Sequence, residues 1–249
     1  MFVHYRTKGF FLRKIDRGES DQLFTFYAKD FGKIEVLGRA IRKIKSKLRS
    51  GADLFYFSEI EFIQGKSYKT LTDAILIEKF SGQKGSVKKL AMAHRIAELC
   101  DKFIKGGEPD RGIWQLLKIT FRRLSDQEPA GPGFLLIYYF LWNLISLLGY
   151  QPEFYSCFSC QKKIALGSFY FSPVNGGMIC SDCLTKETRK KSFLASDYRT
   201  INADTIKILR LILNQDWSTV SRLNIKPFHQ KQLKIVSEYF LSTVPARYF

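Results

Sequence analysis

The spacing of apolar residues changes character along the chain. Up to about residue 80 they fall in short runs: Gly9–Ile15, then Leu23, Phe24, Phe26 and Tyr27, then Ile34, Val36 and Leu37 around Glu35, then Leu54–Ile63, and last Tyr68, Leu71 and Ala74–Ile77. Alternation over a few residues marks half-buried strands. The segments between them, Asp16–Asp21, Asp30–Lys33 and Gln64–Ser67, have turn chemistry. Five short strands in so little chain predict a small closed barrel.

From about residue 84 the period becomes helical. Val87, Leu90, Ala91, His94, Ile96, Ala97, Leu99 and Cys100 recur at steps of three and four. Gly106–Asp110 breaks that helix, and Ile113, Leu116, Leu117, Thr120, Phe121 and Leu124 outline a second amphipathic face. After a further break at Glu128–Gly133, Phe134–Leu148 is apolar all round, which predicts a buried central helix. His94, within a helical apolar pattern, is expected to be a core residue. Residues 153–184 hold short apolar pieces, Phe169–Phe171 and Met178–Ile179, among cysteines. Helical spacing returns over Thr205–Leu213 and Pro227–Leu241.

Composition narrows the function classes. With 45% hydrophobic residues among 249 a packed core is feasible, and no apolar run is long enough for a membrane span. The N-terminus lacks the apolar segment of a secretory signal, so a reducing cytosol is expected. The net charge is +17, which favours polyanionic or acidic partners. Phosphate-loop and dinucleotide fingerprints are absent, as are zinc-protease and nucleophile-elbow motifs. No pattern places a base beside any of His4, His94 and His229, and Asp16, Glu19 and Asp21 read as a turn. No catalytic residue is expected.

Two constellations carry chemistry. Cys157-x2-Cys160 and Cys180-x2-Cys183 stand 19 residues apart, the arrangement of a structural zinc site with four thiolate ligands and no open position. Two disulfides, or four unrelated thiols, are the competing readings. Cys100, on an apolar helix face, reads as a small core residue.

The second is the loop GRAIRKIKSKLRSG at 38–51. Between Glu35 and Asp53 it carries Arg39, Arg42, Lys43, Lys45, Lys47 and Arg49 and no acid. Such a run suits phosphates, although a charge run is usually just a solvated face. Its place between barrel strands favours oligonucleotide binding, and Phe31, Phe55, Tyr56 and Tyr68 are nearby candidates for base stacking, most of them expected in the core. A weaker basic set, Lys84, Lys88, Lys89, Arg95, Lys102, Lys105, Lys118, Arg122 and Arg123, follows on the helices.

The order and spacing of several pieces resemble the RecO family of bacterial recombinational repair mediators. These are Arg17-x-Glu19-Ser20-Asp21 with Leu23, Phe31-Gly32-Lys33, Gly38–Arg42, Ser46–Leu48, Leu148–Pro152 and the paired CxxC motif. The resemblance implies an α+β chain: a five-stranded OB-type barrel at 1–80, a helical domain over 81–152 and 191–249, and a four-Cys zinc-binding insert at 153–190. It implies binding of single- and double-stranded DNA and annealing of complementary strands. It also implies loading of RecA with RecR onto DNA coated by single-stranded DNA-binding protein, whose acidic C-terminal tail is a partner, in the bacterial cytoplasm and nucleoid. Some family members lack the cysteines. Phe121, Arg122 and Arg123 are candidates for holding that tail. The alternative is an adaptor whose basic helical surface mainly receives an acidic peptide, with DNA contact secondary.

Overall fold

A computed structural model describes residues 3–65, 68–80, 87–125, 133–164, 169–189 and 198–248. The predicted turn residues Lys66 and Ser67, the base Lys84 and most of the Glu128–Gly133 break lie outside these residues. Two compact units share the chain, Met1–Pro129 and Ala130–Phe249.

The first unit opens with strands β1 (His4–Arg17), β2 (Asp21–Ala28), β3 (Gly32–Gly38), β4 (Tyr56–Gln64) and β5 (Lys69–Lys79). They close in the order β1-β2-β3-β5-β4, with β1 also antiparallel to β4 and β3 parallel to β5 at Val36 and Leu37. This is the expected OB-type barrel. Phe11, Phe24, Phe26, Val36, Ile60 and Phe62 fill its interior.

Helices α1 (Val87–Phe103) and α2 (Arg111–Ser125) belong to this first unit. The apolar face of α2 meets an aromatic layer on the barrel exterior: Phe10 lies 5.3 Å from Phe121 and 5.5 Å from Trp114, with Phe55, Phe57 and Phe80 beside them. Both faces of β1 are therefore covered where Gly9–Leu12 runs, which is why four consecutive residues are buried there and strict alternation fails. Gly9 and Gly32 are sterically required. A Cβ on Gly9 would stand 2.3 Å from the Tyr27 carbonyl oxygen, and one on Gly32, at φ +61°, 2.2 Å from that of Glu108.

His94 departs from expectation. It sits on α1 with an exposed side chain, its ring edge-on to Phe55 at 4.9 Å, because the α1 face that meets the barrel is carried by Ala93, Ile96, Ala97 and Cys100 instead. Cys100 is a core residue, and burial pushes its thiol far above the ordinary range.

The second unit is built on α3 (Gly133–Leu147), mostly buried as its all-round apolarity predicts, with α5 (Ala203–Leu213), the short α6 (Trp217–Val220) and α7 (Pro227–Tyr248). The Cys-bearing segment forms β6 (Glu153–Cys157), β7 (Phe169–Ser172), β8 (Gly177–Cys180) and α4 (Ser181–Arg189). A strand beyond it, β9 (Arg199–Ile201), completes a sheet of order β6-β8-β7-β9. Phe154 and Phe171 stack at 5.4 Å and meet the Trp142 ring of α3. Among the described residues no helix is long and apolar enough to cross a membrane.

Candidate nucleic-acid interface and metal centre

The loop from β3 to β4 is built to hold its bases outward. At its root Ala40 adopts φ 51°, and its N–H donates to Asp21 Oδ1 at 2.7 Å. The Arg42 N–H donates to the Ser20 carbonyl at 2.9 Å, pinning the loop to the β1–β2 turn. Two hydrogen-bonded turns follow, Lys43 N–H to Ala40 O at 3.1 Å and Ser46 N–H to Lys43 O at 3.0 Å. A 3-10 turn, Lys47–Ser50, leads to Gly51, where a Cβ would meet the Ala74 carbonyl oxygen at 1.9 Å. Ile41 is buried in the barrel interior and Leu48 packs against it. With both apolar anchors turned in, Arg39, Arg42, Lys43, Lys45, Lys47 and Arg49 are all exposed.

Only Arg42 of these six has an acidic partner among the described residues, Asp16 at 3.3 Å. Both side chains are about half exposed, and such a pair contributes little. Arg42 and Arg49 also line a cavity of about 220 Å³ with Lys14, Gln22, Ile41, Ala52 and Asp53. Lys14 donates to Asp53 there. Lys14 was not among the predicted bases. Its place on β1 becomes visible only when barrel closure brings that strand under the loop.

The stacking candidates divide. Phe55 has no accessible surface, and Phe31 packs edge-on to Phe62 at 5.4 Å and Tyr5 at 5.7 Å. Tyr56 and Tyr68 are part-exposed and each carries a cation on its ring, Lys79 at 5.2 Å and Arg17 at 4.9 Å. On α2, Arg122 is exposed and Arg123 half-buried, but Phe121 is fully enclosed between Phe10, Phe55 and Phe80. Phe121 is thus a core residue and offers no surface to a peptide. The helical period shows that it shares a face with Leu124, not that the barrel covers that face.

The four cysteines meet in one place. Cys157 ends β6, Cys160 closes the turn after it, Cys180 ends β8 and Cys183 lies in the first turn of α4. Their sulfurs all lie within 4.8 Å of one another, Cys160 and Cys180 at 3.9 Å. Four sulfurs bound tetrahedrally at about 2.3 Å would stand about 3.8 Å apart, so the cage fits one metal ion. Gln161, at φ 61°, tightens the first knuckle, its N–H donating to the Cys157 carbonyl at 2.8 Å. Burial raises the Cys157 thiol, yet backbone N–H groups of Cys160, Cys180 and Ser159 outweigh it and hold the thiol down at about 7. Burial pushes Cys183 up to about 12 without a metal. A bound cation would deprotonate both.

Arg210, on the last turn of α5, ties this centre to the helices. Its Nε and Nη2 donate to the Phe154 carbonyl at 3.1 and 2.6 Å, and Nη2 reaches the Ile164 carbonyl at 3.1 Å. The guanidinium lies 4.6 Å from the Tyr155 ring centre. Hydrogen bonds from a charged donor contribute about 1.5–3 kcal/mol each, so Arg210→Ala is expected to lower stability by about 2–4 kcal/mol. Arg210→Lys, which lacks the planar fork, should recover less than half of that. Chemical denaturation of the two variants measures it, and an unchanged midpoint for Arg210→Ala would show that the clamp contributes nothing.

Comparison with known proteins agrees with this architecture. A family model described as Recombination protein O N terminal matches residues 1–80, and one described as Recombination protein O C terminal matches residues 85–247. The DNA repair protein RecO of Dehalococcoides mccartyi (strain ATCC BAA-2266 / KCTC 15142 / 195) is 32% identical over 221 residues, 89% of this chain and 83% of its own. That of Desulfitobacterium hafniense (strain DSM 10664 / DCB-2) is 28% identical over 236 residues, 95% of this chain and 83% of its own. That of Alkaliphilus metalliredigens (strain QYMF) is 27% identical over 237 residues, 95% of this chain and 92% of its own. A closed five-stranded barrel, helices that follow it and both family matches, together spanning nearly the whole chain, place this protein in the RecO family of DNA repair proteins.

Proposed function

We propose that this RecO-family chain is a non-enzymatic recombination mediator in the bacterial cytoplasm. It binds single- and double-stranded DNA and anneals complementary strands. With RecR it helps RecA load onto DNA coated by single-stranded DNA-binding protein, whose acidic tail it also receives. The observation that carries the reading is the β3–β4 loop: six exposed bases on one anchored loop of a closed barrel, five of them with no acidic partner among the described residues.

The mechanism is electrostatic. Two strands repel each other through their phosphates, and cations held on a folded scaffold lower that repulsion by displacing condensed counterions. No bond is made or broken in this step. Because phosphate contacts carry no base information, binding is indifferent to sequence, as annealing of arbitrary strands requires. We assign zinc to the four-thiolate cage, as the ion that soft tetrahedral sulfur donors select. With all four positions filled by protein it has a structural role.

Binding to single-stranded DNA is expected to weaken steeply with salt. Six phosphate contacts give a slope of about −4 in log K against log salt. Annealing of complementary strands should proceed without any nucleotide. Fluorescence titration across salt concentrations measures the first, and a dye-displacement annealing assay the second. Affinity that barely changes with salt would overturn the reading. Binding of an acidic tail peptide with none of single-stranded DNA would favour the adaptor instead.

A further inference from the structure

The loop that presents the bases presents one apolar side chain among them. Ile44 is 91% exposed, the most exposed large hydrophobic residue among those described. Lone exposed aliphatics are common on protein surfaces and by themselves mean nothing. Three features separate this one. Its sequence neighbours Lys43 and Lys45 are both exposed, with Arg42 one step before and Lys47 two steps after them, so cations flank it on a stretch free of acids. It lies inside the hydrogen-bonded turn from Lys43 to Ser46, and therefore has a defined direction. Of the apolar residues on either side, Ile41 is buried in the barrel and Leu48 packs partly buried against it, so the same loop that turns two of its hydrophobes inward holds the third out in water. An isoleucine has a stiff χ1 and loses little rotamer freedom when it is enclosed.

We propose that Ile44 is a wedge that inserts between neighbouring nucleobases of a DNA strand whose phosphates are held by the flanking lysines. The inference rests on the DNA-binding reading of this loop. The occupant follows from charge complementarity. A partner that covers an isoleucine ringed by lysines must offer anionic groups on both sides of an apolar slot, and the gap between stacked bases on a phosphate backbone has that form. The wedge gives the loop a way to part adjacent bases on a strand that phosphate contacts alone would leave stacked.

The two contributions have different salt signatures. Phosphate contacts set the slope of affinity against salt, whereas an apolar insertion shifts affinity equally at every salt concentration. Ile44→Ala is therefore expected to bind single-stranded DNA about tenfold more weakly, along a line parallel to that of the unaltered protein. The difference should vanish on an abasic deoxyribose-phosphate oligonucleotide of equal length, which keeps the phosphates and lacks the slot. In Ile44→Trp, the indole fluorescence should be quenched by base-containing strands and not by abasic ones. At so exposed a position none of these variants should disturb folding.

Unaltered affinity of Ile44→Ala, with weakened binding when Arg39, Arg42 and Lys43 are reversed to glutamate, would overturn the wedge and leave the loop as a DNA site. Unaltered affinity in both would overturn both. An equal loss on the abasic strand, or a shallower slope for Ile44→Ala, would show that the residue only shapes the loop. Impaired binding to vesicles of anionic phospholipid with intact DNA binding would assign Ile44 to a lipid surface instead.

Discussion

Reversing Arg39, Arg42 and Lys43 to glutamate together is expected to weaken single-stranded DNA binding about 100-fold or more at about 0.1 M salt, and to make its salt dependence shallower by about 2 in slope. The size follows from counterion release. Each phosphate contact on a single strand contributes about 0.7 to the slope, so three contacts amount to about two decades of affinity at that salt. Added glutamates then repel the strand. The protein should stay folded: all three side chains are exposed, and the one ion pair lost, Arg42 with Asp16, joins two half-exposed groups. Reversal of Lys226, just before α7, together with Lys231 and Lys234 on it is the control, since it makes the same change to the net charge of +17 on exposed residues of the other compact unit. If the attraction is local, the control loses little. Equal losses in both variants would mean that net charge alone draws the strand in, and that the β3–β4 loop has no special part.

Much of this loop was legible in the chain itself. The bases between Glu35 and Asp53 are a statement of composition, and strands on either side follow from alternation. What the pattern could not show is which apolar residues the loop turns inward. Ile41, Ile44 and Leu48 sit at spacings that suit one helical face, yet the chain makes two tight turns there and separates Ile44 from its neighbours. Phe121 illustrates the opposite case: the helical period gives its face, but not that the barrel exterior covers it. Lys14 and Arg210 matter through tertiary placement alone, one beneath a loop 28 residues later at Arg42, the other on carbonyls 56 and 46 residues earlier. The paired CxxC spacing was the most local signal and the structure gathers its four sulfurs, because a knuckle needs only a short turn to aim two thiols at one point.

Replacing Cys157 with serine is expected to abolish stoichiometric metal binding and to lower stability by about 4 kcal/mol when free metal stands about a thousandfold above its dissociation constant. A serine hydroxyl does not ionise near neutral pH, so the cage keeps three thiolates and loses its closed tetrahedron. The loss should be graded across the second unit. The Phe154–Phe171 stack on Trp142 holds the sheet without any ion, whereas the turn at Ser156–Lys163 and the short α4 have little apolar core of their own and should be the parts that loosen. Because Cys157 is itself buried, a serine there would cost something even without a metal. A chelator supplies the separation. The unaltered protein stripped of metal should melt close to the variant, and the variant should not respond to the chelator at all. Cys100→Ala, at a buried thiol in the other unit, should keep its full metal content. The wedge and the bases lie in the first unit, so DNA affinity per folded molecule should be unchanged by Cys157→Ser. A variant that retained one equivalent of metal, or that melted with the unaltered protein, would show that the four sulfurs do not act as one structural site. Full stability with lost DNA binding would instead make the metal centre part of the strand-holding surface.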